Sequence, residues 1–362
     1  MKKKILATLL CATMAATSLV GCGGKKADGD FNVSVFYYTY GDTYIASVRT
    51  ALDAELKAAG VSFDNYDGEN NQTKQNEQID TAIQKGTDLL VVNVVTSATP
   101  DVSSEILEKA EAAGIPVVFF NRTPEKEEGE VLGKSENCAF VGTDAPEAGH
   151  LQGKMIGDFV LANYDAVDLN KDGKISYAMF MGEQGNAEAI YRTQYGVEDA
   201  DAVLKAAGKP ALEYFDTAKA DKFQVDMNGA WSSTAANEYM NTNLAQYNEE
   251  NGNMIEVIIC NNDGMAEGAV SALNDKGYNT GAGSKTIPVF GVDATDAAKQ
   301  LIADGKMTGT IKQDAEGMAA QICDLVKNVA DDKALMDGVA ADRIAATLAN
   351  KIYIPYATYT GQ

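Results

Sequence analysis

The chain has 362 residues, long enough for two domains with separate cores. Its 45% hydrophobic and 8% aromatic content excludes an intrinsically disordered polymer. A formal charge of −22, from 52 acids against 30 bases, argues against nucleic acid or an anionic membrane surface as partner and suits a neutral or cationic solute.

The chain opens with cationic "MKKK" and the apolar run "ILATLLCATMAATSLVG". That run is too short and too rich in Ala and Thr for a stable span, so residues 1–21 read as an export signal. It ends in Leu19-Val20-Gly21-Cys22, which resembles the bacterial lipobox. Cys22 is then expected to carry lipid, with residues 22–30 as a tether to the extracytoplasmic face of the membrane. The alternative is an ordinary secretory signal with a chance cysteine. Cys138, Cys260 and Cys323 are odd in number and widely spaced, and no CxxC occurs, so they read as small buried hydrophobes. No second long apolar run follows.

From Phe31 onward short apolar runs alternate with longer helical patterns. "FNVSVFYY" predicts a strand and "TYIASVRTALDAELKAAG" an amphipathic helix ending at Gly60. "VSFDNYD", "DLLVVNVV", "IPVVFFN" and "CAFVGTD" read as strands, with helices "KQNEQIDTAIQKG" and "DVSSEILEKAEAAG" between them. The rhythm restarts with a helix from Glu147 to about Ala162 and the strand "KISYAMFM". Helix "EAIYRTQYGVEDADAVLKAAG" leads to strand "ALEYFD", and helix "STAANEYMNTNLAQYN" to strand "IEVIIC". Helix "GMAEGAVSALNDKG", strand "IPVFGVD", helix "DAAKQLIADG" and strand "MTGTIKQD" come next. Helix "EGMAAQICDLVKNVAD" and strand "KIYIPYAT" close the chain. Such alternation predicts α/β architecture with two doubly wound parallel sheets.

In open parallel sheets ligands bind beyond the carboxyl ends of the strands. The residues that follow the strands are Asp42, Asn121, the stretch from Glu183 to Arg192, Trp231, Asn261 to Asp263, Asp293, and Gln313 with Asp314. Amides and carboxylates dominate this set. Dull readings compete with functional ones: Asp42 could simply cap a helix, Asn262 and Asp263 could be turn and cap residues, Arg192 a solvated charge and Trp231 core packing. The only histidine, His150, sits in a helix pattern and reads as a packed or surface residue.

A separate motif is "DLNKDGKIS". It places Asp168, Asn170 and Asp172 at positions 1, 3 and 5 of a calcium-loop pattern, with Gly173 at position 6. Lys174 can offer its carbonyl and Ser176 a hydroxyl. Position 12 is Met179 rather than glutamate, and Glu256, which opens "EVIIC", could supply the missing carboxylate from a neighbouring parallel strand. The loop precedes its strand, so it is expected far from the cleft.

Six ordered motifs resemble the periplasmic galactose/glucose-binding proteins, the sugar-capturing components of ABC importers: "NNQTKQNEQID", "PVVFFN", "FVGTD", "DLNKDGKI", "NNDGMAEGAV" and "PVFGVD". The similarity runs from about Phe31 to Tyr356. It implies a type I periplasmic binding protein fold with three hinge crossings, near Thr143, Gln313 and Ile354. The lobes would comprise residues 31–142 plus 314–353, and 144–312 plus 354–362. It implies sugar contacts at Asp42, Asn121, Arg192, Asn262 and Asp293, with Tyr44 and Trp231 on opposite sugar faces. The family's histidine and aspartate after "GE" are here Asn186 and Glu188, and a hinge asparagine is Gln313. The resemblance also implies structural calcium on Asp168, Asn170, Asp172, Lys174, Ser176 and Glu256. The expected partners are a monosaccharide, galactose or glucose foremost, and the permease subunits of an ABC transporter; the expected state is a monomer.

A buried pyranose needs a partner for nearly every hydroxyl and aromatic cover for its C–H faces, which this residue set can supply. An extracytoplasmic sugar hydrolase is one rival; it requires a carboxyl with a raised pKa, and the amides and arginine instead predict ionised carboxylates. A transcription-factor effector domain would need an N-terminal helix-turn-helix, where this chain has a signal. A sensor docking on a chemotaxis or kinase receptor is the third reading.

Overall fold

The computed structural model describes residues 31–361; the expectations for the signal, Cys22 and the tether lie outside the described residues. In chain order the first half runs β1 (Asn32–Tyr37), α1 (Thr43–Ala58), β2 (Ser62–Asp67), α2 (Gln72–Lys85), β3 (Leu89–Val92), α3 (Pro100–Ala113), β4 (Val117–Phe120) and β5 (Cys138–Gly142). There follow α4 (Ala145–Ala162), α5 (Tyr164–Val167), β6 (Ser176–Met181), α6 (Ala187–Ala206), β7 (Glu213–Tyr214), β8 (Gln224–Val225) and α7 (Ser233–Gln246). The chain continues through β9 (Val257–Cys260), α8 (Asp263–Asp275), β10 (Val289–Asp293), α9 (Asp296–Ala303) and β11 (Gly309–Gln313). It ends with α10 (Ala315–Ala330), β12 (Lys351–Tyr353) and β13 (Tyr356–Tyr359).

Two sheets result. One has the order β12-β5-β4-β3-β1-β2, parallel throughout; the other has β13-β11-β10-β9-β6-β7, with β8 paired to β6. β1 lies between β2 and β3, and β6 between β7 and β9, so the strand order reverses beside β1 and beside β6, the positions where doubly wound sheets bind ligands. The cause is residue alternation. Val33, Val35 and Tyr37 face a core with α1 and α10, while Phe36, on the other face, packs towards α2 and α3. The second sheet is flanked in the same manner by two cores.

Three details depart from the sequence reading. "KIYIPYAT" is not one strand: it breaks at Ile354-Pro355, so β12 runs parallel to β5 in one sheet and β13 antiparallel to β11 in the other. Pro355 has no N–H to donate to a ladder, which favours the break. "ALEYFD" shrinks to the two residues of β7, and β8 is an additional short edge strand. Cys138, Cys260 and Cys323 are free and buried, as expected of small hydrophobes. Among the described residues no helix is long and apolar enough to cross a membrane.

The second lobe depends on a close helix contact. Gly149, Gly153 and Gly157 on α4 receive the backbone of α6. A Cβ on Gly153 would stand 2.2 Å from the Tyr195 carbonyl oxygen, so α4 and α6 would have to separate. Overpacking of this kind costs about 1–3 kcal/mol. Gly153→Val is expected to lower the melting temperature by several degrees; an unchanged melting curve would show that the two helices are free to part.

Candidate functional site

All ten residues expected at the sugar site line one narrow space of about 40 Å3 between the lobes: Asp42, Tyr44, Asn121, Asn186, Glu188, Arg192, Trp231, Asn262, Asp293 and Gln313. Tyr38 and Arg122 complete the lining. Each side chain arrives by the same route, at or just beyond the carboxyl end of a strand or in the first turns of the helix that follows.

Capping and pocket lining turn out to be compatible. Asp42 caps α1 through Oδ1, which accepts from Ile45 N at 2.8 Å, while its Oδ2 accepts from the Tyr38 hydroxyl at 2.6 Å. Asn262 caps α8 by accepting from Met265 N, and its amide donates to the Trp231 carbonyl at 3.3 Å. Asn186 caps α6 and donates to Glu183 Oε2. Three pocket residues hold positive φ: Asn121 at 57°, Trp231 at 55° and Asp293 at 125°. Non-glycine residues reach that region only where surrounding contacts over-determine them, and such strain concentrates at functional sites.

Arg192 is 3% exposed and central. It donates to the Asn261 carbonyl at 2.9 Å, Glu188 Oε2 at 3.0 Å, Gln313 Oε1 at 2.9 Å and the Tyr356 hydroxyl at 2.9 Å. Burial works against its charge, but Tyr356, Glu188 and Asp293 outweigh burial and keep it protonated. Asn121 Oδ1 accepts from Asn93. The Tyr44 hydroxyl contacts the Met318 sulfur at 3.7 Å.

Four buried polar atoms of pocket-lining residues have no protein partner: Asp293 Oδ2, Gln313 Nε2, Arg192 Nε and Arg122 Nε. Each is a group a hydroxyl-rich ligand could satisfy. The expectation that the carboxylates stay ionised is corrected for Asp293. Burial pushes its carboxyl well up, more than the Arg192 charge pulls it down, and Asp263 and Asp42 add to the rise. A raised carboxyl alone therefore does not separate a binder from an acid catalyst here.

Sequence reasoning missed Tyr38, Arg122 and Tyr356. Arg122 directly follows Asn121 at the end of β4, so the strand-end rule that selected Asn121 would also have selected it. Its guanidinium lies 4.2 Å over the Tyr38 ring and pairs with Glu183 of the other lobe at 2.7 Å. His150 is half-exposed, stacked on Tyr195 and bonded to Asp199, outside the pocket.

The residues of the proposed metal loop lie together at the amino end of β6, away from the pocket. Glu256, 1% exposed, accepts from Leu169 N at 2.7 Å, Asn170 N at 3.2 Å and Ser176 N at 2.9 Å. Asp168 accepts from Asp172 N and Gly173 N, Asn170 from Asp172 N, and Asp172 from Lys174 N. The Ser176 hydroxyl donates to the Met254 carbonyl. These oxygens face the loop's own amides, and among the described residues no group of three or more His, Cys, Asp or Glu is gathered closely enough to hold a metal ion.

A family model described as a periplasmic binding protein domain matches residues 33–334. The D-galactose/methyl-galactoside binding periplasmic protein of Haemophilus influenzae is 34% identical over 333 residues, 91% of each chain. The ribose import binding protein of Bacillus subtilis is 25% identical over 294 residues, covering 81% of this chain and 79% of the relative. An ABC transporter solute binding protein from Bacillus halodurans, solved with myo-inositol, superposes with a TM-score of 0.67 at 23% identity, over 93% of this chain and 96% of the other. One from Clostridium phytofermentans, solved with β-D-glucose, gives 0.66 at 20% identity, over 91% and 94%.

Two tests address the pocket walls. A Cβ on Gly182 would lie 2.1 Å from the Trp231 indole. Gly182→Ala is expected to displace this ring and shift its fluorescence to longer wavelength, with no other tryptophan to confuse the signal; unaltered emission would show a mobile indole. Behind the pocket, Asp263 accepts from Thr310 Oγ1 at 2.6 Å and Thr295 N at 2.8 Å, and burial pushes its carboxyl up to about 7. An unfolded aspartic acid titrates near about 3.9. The folded chain thus keeps a proton that the unfolded chain releases, and this contribution to stability falls as pH rises from about 4 to about 7. Melting temperature should decline less over that range in Asp263→Asn than in wild type. Parallel declines would mean that Asp263 is ionised in the fold.

Proposed function

Because the chain belongs to the periplasmic binding protein domain family, we propose that it is an extracytoplasmic receptor that captures a monosaccharide, with galactose or glucose foremost, and delivers it to an ABC permease. The observation that carries this reading is the convergence, from both lobes, of ten polar and aromatic side chains on one space whose lining retains four unpartnered buried polar atoms. Asp42, Asn121, Asn186, Glu188, Arg192, Asn262, Asp293 and Gln313 bond the sugar hydroxyls, and Tyr44 and Trp231 cover its C–H faces. The 34% identical relative, named for D-galactose and methyl-galactoside, supports an aldohexose over a pentose. Bonds to charged groups contribute about 1.5–3 kcal/mol each, so a few of them supply the roughly 8 kcal/mol of micromolar affinity. The ligand leaves unchanged, and the lipid on Cys22 tethers the receptor beside its permease.

We also propose that calcium occupies the Asp168–Ser176 loop. Its donors are oxygens alone, which suits a hard cation. Asp168, Asn170, Asp172, the Lys174 carbonyl, Ser176 and Glu256 would hold the ion, which would tie the loop to β9 by a charge interaction in addition to the amide bonds present. Metal bound only to the folded state raises stability with its concentration.

A thermal-shift screen of aldohexoses tests the first reading: one hexose is expected to raise the melting temperature by several degrees and to be recovered intact. Asp293→Ala is expected to abolish that shift; a retained shift would place the site elsewhere, and turnover would make the protein an enzyme. For the metal, a chelator is expected to lower the melting temperature of wild type but not of Glu256→Gln, with hexose preference unchanged. The same chelator response in both would remove Glu256 from the metal site.

A further inference from the structure

A larger cavity of about 530 Å3 adjoins the pocket and shares Asn121, Arg122, Asn186 and Glu188 with it as common walls. Its volume falls in the roughly 300–1,000 Å3 range of small-molecule sites, whereas the pocket itself is far narrower. The chemistry of its walls is that of a ligand site. Glu125, 3% exposed, gives Oε2 to Val131 N and Leu132 N at 3.0 Å each, but Oε1 has no hydrogen-bond partner. The nearest cation, Lys351 Nζ, is 3.9 Å from Oε1, beyond hydrogen-bond reach. Arg122 Nε, in a side chain equally buried and common to both cavities, is also without a partner.

Part of the α6 wall is apolar. Ile190 on α6 is one of only two large hydrophobic residues exposed among the described residues, at 42%, and with Tyr191 it lines this cavity facing Tyr353 of the other lobe. An acceptor and a donor left over on one side, with aliphatic and aromatic surface nearby, repeat the recipe of the sugar pocket. The charged residues around the space are Glu125, Glu127, Glu128, Asp144 and Glu188 against Arg122, Lys126 and Lys351, a net negative lining that disfavours an anion. A neutral polyol, which accepts and donates hydrogen bonds without bringing charge, is compatible with these walls.

We propose that the physiological ligand class extends to glycosides: the hexose sits in the narrow pocket and a second neutral sugar ring, linked through a glycosidic oxygen, occupies the adjoining cavity. This rests on the sugar-binding reading. The second ring places a hydroxyl on Glu125 Oε1, another on Arg122, and an apolar face on Ile190 and Tyr191. No bond is made or broken.

Calorimetric titration of the full chain decides it, with the hexose that shifts melting, its methyl glycoside, and a panel of disaccharides containing that hexose. At least one disaccharide is expected to bind within tenfold of the free hexose. Ile190→Trp, an exposed position that narrows the cavity without entering the hexose pocket, should weaken that disaccharide at least tenfold and alter hexose affinity less than twofold. Glu125→Gln should weaken the disaccharide alone. Hexose binding with no disaccharide binding overturns this inference and leaves the hexose reading standing. Equal losses for both ligands in Ile190→Trp also overturn it. Binding of neither ligand removes the sugar-binding reading itself.

Discussion

One buried cation organises this molecule. Arg192 reaches from α6 to the three places where the chain passes between sheets. It donates to Gln313 at the end of β11 and to Tyr356 at the start of β13. The Tyr356 hydroxyl in turn lies 2.9 Å from both the Thr143 hydroxyl, just past β5, and Glu188 Oε2, with one proton to donate to either. Thr143 also donates to Glu188, which closes the ring on Arg192. A guanidinium holds its donors in a rigid planar fork, so several partners are fixed relative to one another at once. A lysine at this position would present a point charge and could not span the same set. Arg192 is therefore bonded directly to two of the interlobe connections and, through Tyr356 and Glu188, to the third.

Much of this was legible in the sequence because the physical rules involved are local. Alternating apolar residues flanked by Gly-terminated helices identify parallel α/β structure without reference to a fold. The rule that ligands sit past the carboxyl ends of strands then selects pocket residues separated by some 270 positions. Strand order was not legible, since nothing in β1 states that β2 and β3 lie on either side of it. The same holds for the division of residues 351–359 between two sheets. Pro355 marks the interruption, but a proline does not say that the chain changes lobes there.

In the pocket, the alternatives weighed from sequence were not exclusive. Asp42 and Asn262 were read as either caps or ligand contacts; in the structure each spends one side-chain atom on a helix terminus and turns the other toward the pocket. Short polar side chains at helix starts satisfy orphan amides, and a helix start beyond a strand is where a parallel sheet opens its cleft. Capping therefore fixes the rotamer that the site uses. Tyr38 was lost for a different reason. It continues the aromatic run of β1 and reads as core, and only its hydroxyl, bonded to Asp42, reveals a polar end.

The closed arrangement of the lobes also follows from a balance of polar groups. Bonds between lobes include Arg122 to Glu183 at 2.7 Å and Asn70 to the Asn228 carbonyl at 2.8 Å. Asn70 and Asn228 are exposed, and exposed contacts contribute little, while the Arg122 pair is partly shielded. Against them stand Asp293 Oδ2, Gln313 Nε2, Arg192 Nε and Arg122 Nε, each buried without a protein partner, at a cost of about 1–3 kcal/mol for a buried group left unpaired. Separating the lobes would give those groups water as a partner, so they weaken the closed arrangement. A hydroxyl-rich ligand reverses the sign by supplying the partners only when both lobes surround it, because Asp42 and Asn121 come from one sheet and Arg192, Asn262 and Asp293 from the other. A ligand can shift such an equilibrium only by its differential affinity for the two states. The unpartnered atoms are the source of that difference, so the polar groups that destabilise the closed receptor when empty are those that make closure depend on the ligand.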